Sequence, residues 1–293
     1  MSPSSPTPQG GWWSPGHLPG VQRVSTLVFV VVFGMWLETV PSPWFEREAN
    51  GVVSFNYHPV CMTLAFVVLM PEAIVVYADG EDGRGITHVN AKRIHTVVHC
   101  VSTLFLLMGL MAIFANHKGH NIPPMYSAHS WMGLLTTILV GLQALVGFGV
   151  YFFKPVVSSL ASADATNQTL SVSELRKNIM PYHRFFGCAA FVLGLNTCIS
   201  GFVEKQAFTK CAIDPTYKYC AALALPNVLV VLVATIGSCS MGIVYARHLN
   251  RRPDRAQWVH LTPEEQREDA RSALMSARQR RARGTEEIED LEY

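Results

Sequence analysis

Charge is what this sequence has least of. Asp, Glu, Lys and Arg make up 15 % of its 293 residues, against about 25 % in an ordinary soluble domain. The charges that are present nearly cancel, leaving a net +2, so there is no electrostatic footprint for nucleic acid. The segment before Arg23 is rich in Pro, Gly and Ser and carries no cation. It lacks the basic leader of a secretory signal, and residues 1–23 are expected to form a disordered tail. The seven cysteines contain no Cys-x-x-Cys and no zinc-ligand spacing. Cys61, Cys100, Cys188, Cys198 and Cys239 fall inside apolar runs, where a free cysteine behaves as a small hydrophobe. The period-two alternation of a membrane barrel is absent as well.

What is there instead is apolar. Hydrophobic residues make up 49 % of the chain and the mean hydropathy is +0.23. Crossing about 30 Å of hydrocarbon takes roughly 17–25 apolar residues. Six runs qualify, at about Val24–Val40, Pro59–Tyr77, Ile94–Ala115, Tyr126–Phe153, Tyr182–Val203 and Leu223–Ala246. Backbone in lipid must satisfy its own hydrogen bonds, so each run is expected to be a helix. The expected class is an all-α membrane protein with one six-helix domain over 24–246. Glycines at 109, 133, 141, 147, 187, 194 and 201 leave room for close helix approach or a bulky cofactor. Pro71 should kink the second helix. Residues 247–293 form a charged tail, in which Thr262-Pro263-Glu264-Glu265 has the pattern of a capping box.

Loop cations set the orientation. With both termini on one face, that face holds Arg23, Arg84, Lys92, Arg93, Lys154, Arg176, Lys177, Arg247, Arg251, Arg252 and Arg255. The other holds only Arg47, Lys118, Lys205, Lys210 and Lys218. Both termini are therefore expected in the cytoplasm, and the sequon at Asn167 should stay unglycosylated. Cys211 and Cys220 share an outer loop, where oxidation is permitted, and are expected to pair.

The histidines carry the functional signal. His58, His95, His129 and His183 each open one of four successive helices. In an up-down bundle this places His58 with His129 near the outer face, and His95 with His183 near the cytoplasmic face. Histidine in a membrane helix is costly and usually functional, although a single one can be a bonded core residue. Two imidazoles facing each other across a bundle suit iron with both axial positions filled; zinc would prefer three or four protein ligands. His99 lies one turn beyond His95 and reads as a packing neighbour. His117 and His120, in the outer loop, either contact substrate or are solvated. A transporter or proton channel relaying through the same histidines and Glu72 is the competing class. Its helices would more often show paired mid-membrane breaks, for which Pro71 alone is a poor match.

Five stretches then carry a resemblance. They are Phe55-Asn56-Tyr57-His58-Pro59 with Met62; Lys92-Arg93-Ile94-His95; Asn116-His117; Met125-Tyr126-Ser127-Ala128-His129-Ser130-Trp131-Met132-Gly133; and Pro181-Tyr182-His183 with Gly187, Gly201 and Glu204-Lys205. In this order and spacing, across roughly residues 24–250, the chain resembles the transmembrane cytochrome b561 family. The resemblance implies a central four-helix bundle with two b-type haems, one on His58 and His129 and one on His95 and His183. It implies an ascorbate-dependent oxidoreductase that passes electrons from cytoplasmic ascorbate to monodehydroascorbate or a ferric chelate on the other side. It further implies a homodimer in the plasma membrane or an endosomal or vesicular membrane. Lys92, with Arg93 and Arg184, would meet cytoplasmic ascorbate or haem propionates. Asn116, His117 and Tyr126 would line the outer substrate pocket. Where many members carry Arg directly after the tyrosine ending the second helix, Tyr77 is followed here by Ala78 and Asp79. Where many carry a second cation seven residues before the haem-binding histidine, His88 stands. Arg84, Arg93 or Arg184 would have to compensate. Glu72 should lie near the cytoplasmic haem, either tuning it or relaying a proton, or serving as a bonded structural carboxylate.

Overall fold

The computed structural model describes residues 17–40, 42, 46–48, 51–80, 84–152, 172–209 and 220–250. Six helices are long and apolar enough to cross a membrane: α1 (Leu18–Leu37), α2 (Tyr57–Asp79), α3 (His88–Gly119), α4 (Ala128–Phe152), α5 (Val172–Ala207) and α6 (Ala221–Asn250). Among the described residues the only β pairing is one antiparallel bridge between Arg47 and Val53. The chain divides into Met1–Val244 and Tyr245–Tyr293; of the second unit only the end of α6 is described.

Local chemistry sets the helix starts. Pro19 occupies the first turn of α1, where its missing N–H is no loss. Thr87 Oγ1 accepts from Asn90 N at 3.4 Å and caps α3, and Ser127 Oγ accepts from Ser130 N at 3.3 Å at the head of α4. α1, with Pro19 in its first turn, and α3, capped by Thr87, start several residues earlier than the apolar runs suggest, because the chemistry of the end rather than hydropathy decides where a helix begins. Tyr126, counted with the fourth run, lies just outside α4.

Contacts between helix ends give an up-down order. The start of α1 meets the end of α2, where Arg23 pairs with Glu72 and Asp79. The start of α2 meets α3 near Gly109, and the start of α4 meets the end of α5 at Thr197 and Ser200. The end of α5 meets the start of α6 through Gln206 and Leu223. Phe29, Phe33 and Trp36 of α1 pack edge-on against Phe202 of α5, with ring centres 5.3–6.3 Å apart. Such pairs add about 0.5–1.5 kcal/mol each beyond their buried area. Phe66, Val67, Phe191, Leu229, Val233 and Ile236 complete the core. Along the middle of α3 and α4 the exposed residues are apolar, among them Leu104, Met111, Leu135 and Leu145, as a surface against lipid requires.

Around Pro71 the helix α2 is irregular. The helix widens over Leu64–Leu69 and again over Val76–Gly80 into π turns. Proline lacks the N–H and crowds the carbonyl one turn back, so the preceding bonds slip by one residue. Met70 N–H accordingly donates to Ala65 O, and Ser102 Oγ of α3 donates to that same carbonyl at 3.0 Å.

Candidate functional site

Two levels of the bundle each bring together a pair of histidines. At one end the rings of His58 and His129 stand 6.1 Å apart, centre to centre, and nearly perpendicular at 87°. At the other, His95 and His183 are 6.4 Å apart at 70°. Two imidazoles sharing one metal, each nitrogen about 2 Å from it, stand with ring centres roughly 6 Å apart. The stretch from His58 to Ala73, against which His95 bonds, puts about 20 Å of helix rise between the two levels.

Backbone carbonyls fix the rings. His58 Nδ1 lies 3.1 Å from Gly109 O, His129 Nδ1 3.0 Å from Thr197 O, and His95 Nδ1 2.8 Å from Ala73 O. A carbonyl only accepts, so Nδ1 carries the proton in each ring and Nε2 keeps its lone pair for a ligand. His183 differs: its Nδ1 is buried with no hydrogen-bond partner, an orphan that a bound group or bridging water would answer. His99 packs 4.5 Å from His95, and the His95 ring stands 6.4 Å from that of His183. Space is kept by glycine: a Cβ on Gly201 would stand 2.8 Å from His129 Cε1, while Gly147 leaves His183 clear at 3.9 Å.

Beside His58 and His129 lies a cavity of about 860 Å³, within the usual range for a cofactor or ligand site. Asn116, His117 and Tyr126 all line it. Asn116 is 4 % exposed, and its amide nitrogen is committed to Val53 O at 2.7 Å and to Glu48 Oε1 at 3.4 Å. His117 faces Tyr126 with ring centres 6.3 Å apart. The Tyr126 hydroxyl donates to Glu204 Oε1 at 2.8 Å. Burial, and then the Glu204 bond and charge, push the Tyr126 phenol up to about 12. Met125, immediately before it, holds a left-handed φ of +57°, a strained conformation for a side chain of this kind, and it turns the chain into the head of α4. The cavity also has residues that no sequence motif ties together. Glu48 and His120 meet at 2.9 Å, and Lys205 Nζ lies over the Phe55 ring at 4.3 Å. Glu48 and Asn116 are 68 residues apart, so only the fold reveals that contact.

At the His95 end, Lys92 is half-buried in the first turn of α3, three residues before His95 and on the same helix face. Arg93 and Arg184 are exposed, the latter beside His183. Glu72 is a bonded carboxylate, ion-paired to Arg23 at 3.2 Å and accepting from Gln22. Asp79 draws in both Arg23 and Arg84, the latter at 3.1 Å. Of the cations placed to compensate for the missing ones, Arg84 is therefore spent on Asp79. His88 lies against Tyr77, 5.7 Å between ring centres, and Tyr77 lies against His95 at 5.3 Å. Cys220, ahead of α6, is disulfide-bonded; Cys211 lies outside the described residues, as do Asn167 and the capping-box segment at Thr262.

The sequence model of the family described as eukaryotic cytochrome b561 matches residues 57–209, a span containing all four paired histidines. The chain belongs to the cytochrome b561 family. It is 30 % identical over 243 residues to the transmembrane ascorbate-dependent reductase CYB561 of Sus scrofa, covering 81 % of this chain and 86 % of that one. To the human protein of the same name it is 28 % identical over 236 residues, covering 79 % and 86 %. To a probable ascorbate-specific transmembrane electron transporter 1 of Oryza sativa subsp. japonica it is 32 % identical over 195 residues, covering 66 % and 74 %. Cytochrome b561 proteins are integral membrane proteins that carry b-type haem. The residues present fit that group: paired rings at the separation one iron requires, Nε2 left free by Nδ1 bonding, and glycines holding the backbone off the rings.

Proposed function

We propose that this cytochrome b561 carries electrons across the membrane, from ascorbate on the His95 face to monodehydroascorbate or a ferric chelate on the His58 face. The observation that carries the reading is the repetition of one arrangement at two levels, two imidazoles about 6 Å apart each time. Two b-type haems, one between His58 and His129 and one between His95 and His183, would supply the one-electron chemistry. Held by His58, His129, His95 and His183, the haems would leave no open site for substrate, and only electrons would pass. The bundle spaces the two levels by about 20 Å, dividing a crossing of about 30 Å into shorter hops.

On the His95 face, Lys92, Arg93 and Arg184 supply cations for an anionic donor or for propionates. The loop cations favour this face for the cytoplasm, with both termini on it. On the opposite face, the cavity lined by Asn116, His117 and Tyr126 receives the acceptor, and Cys211 is the expected partner of the disulfide-bonded Cys220. Comparison with relatives named as ascorbate-dependent reductases and electron transporters supports the donor. The reading is tested by reconstituting the full chain in liposomes with ascorbate inside and a ferric chelate or monodehydroascorbate outside. Ascorbate-dependent reduction of the outside acceptor is expected. Its absence in haem-loaded vesicles would overturn the reading.

A further inference from the structure

The lip of the outer cavity holds a proton that the electron pathway does not use. His120 follows the last turn of α3. Its Nδ1 lies 3.0 Å from Asn116 O, a carbonyl that also accepts the backbone N–H of His120. Its Nε2 lies 2.9 Å from Glu48 Oε2. A neutral ring protonated at Nε2 donates to the carboxylate, and with acceptors at both nitrogens the ring has a place for a second proton at Nδ1. The pair is positioned rather than incidental. Asn116 Nδ2 fastens the loop through Val53 O and Glu48 Oε1. Gly119 admits Val52, whose methyl carbons would stand 2.5–2.6 Å from any added Cβ. Glu48 and His120 both line the cavity, with side chains 20 % and 34 % exposed, so the shared proton has the cavity on one side and water on the other.

We propose that the His120–Glu48 pair is the proton donor for an acceptor reduced in this cavity. The inference rests on the reading above that electrons leave the chain at this face. An oxyanion radical such as monodehydroascorbate takes one electron, supplied by oxidation of the donor on the opposite face, and one proton. A new O–H bond forms on the acceptor as the pair's N–H or O–H bond breaks. The product is a closed-shell monoanion, and outer water restores the proton. Without that proton the product would be a dianion in a cavity lined by Glu48 and Glu204 as well as by Lys205. A ferric chelate takes the electron alone. The other ionisable groups around the cavity are His117 from α3, Tyr126 from the turn before α4, Glu204 and Lys205 from α5, and the paired His58 and His129. Tyr126 is engaged with Glu204, Lys205 lies over the Phe55 ring and His117 faces Tyr126, whereas His120–Glu48 sets an imidazole directly against a carboxylate at the cavity lip.

The test uses the haem-loaded full chain, reduced through the ascorbate face. Reoxidation is followed with pulse-generated monodehydroascorbate and, separately, with a ferric chelate, across pH and in heavy water. In the wild type the radical reaction is expected to show a normal solvent isotope effect that the ferric reaction lacks. In His120→Gln and Glu48→Gln, each able to keep a hydrogen bond in place, the ratio of radical to ferric rates is expected to fall at least about tenfold. That is less than a positioned acid usually contributes, because water can partly substitute. An unchanged ratio, or equal loss with both acceptors as a purely structural clasp would give, would overturn the proposal. Failure of both acceptors to oxidise the wild type would instead overturn the exit of electrons at this face, and the pair's role with it.

Discussion

Residues in this bundle are set by what their second polar atom touches. Each of His58, His95 and His129 spends Nδ1 on a carbonyl and so presents Nε2. The phenol of Tyr126 is governed the same way, by burial and then by Glu204. It should stay neutral up to about pH 12, against about 10 for a free phenol. Because the folded value is the raised one, this group's contribution to stability is complete below about pH 10 and is lost as pH climbs toward 12. In Glu204→Gln the Tyr126 midpoint, read from phenolate absorbance against a Tyr126→Phe control, is expected to drop. An unmoved midpoint would deny the bond a role. Lys92→Ala is expected to slow reduction by ascorbate several-fold while leaving reduction by dithionite as it was, in stopped-flow traces of the haem band. Equal rates with ascorbate would remove Lys92 from the donor site.

At the scale of the element, α2 is the helix on which both levels depend. It carries His58 at its head and the Ala73 carbonyl that orients His95 near its foot, with two widened turns between. The Ser102 hydroxyl, 1 % exposed, meets the Ala65 carbonyl in the first of them. Ser102→Ala should cost about 1 kcal/mol, the usual size of a polar contact between membrane helices, measured by denaturant unfolding in detergent micelles; no change would mean that the widened turn needs no support. Helix existence was legible in the sequence because lipid leaves the backbone no alternative to helix over an apolar run. Helix ends were not, since Thr87 and Ser127 set them through capping and Pro19 through its place in a first turn. Pro71 announced an irregularity but not its form, because whether a proline kinks or widens a helix depends on what the neighbouring helix offers the displaced carbonyls.

For the molecule as a whole, the pairing of histidines followed from alternating helix directions alone, and the structure brings together the rings that the topology calls for. The charged surroundings did not follow. Asp79 gathering Arg23, and Glu48 reaching His120, join residues dozens of positions apart that share no periodic signal. Everything functional rests on there being two haem sites, one at each level. The most direct measurement is the haem-to-protein ratio of purified full-length chain, taken from its reduced-minus-oxidised spectrum and a protein assay, in the wild type and in His129→Ala. The account predicts about two b-type haems per chain, falling to about one in the variant with the remaining haem still reduced by ascorbate. One haem or none in the wild type, or loss of all haem in a folded variant, would contradict it.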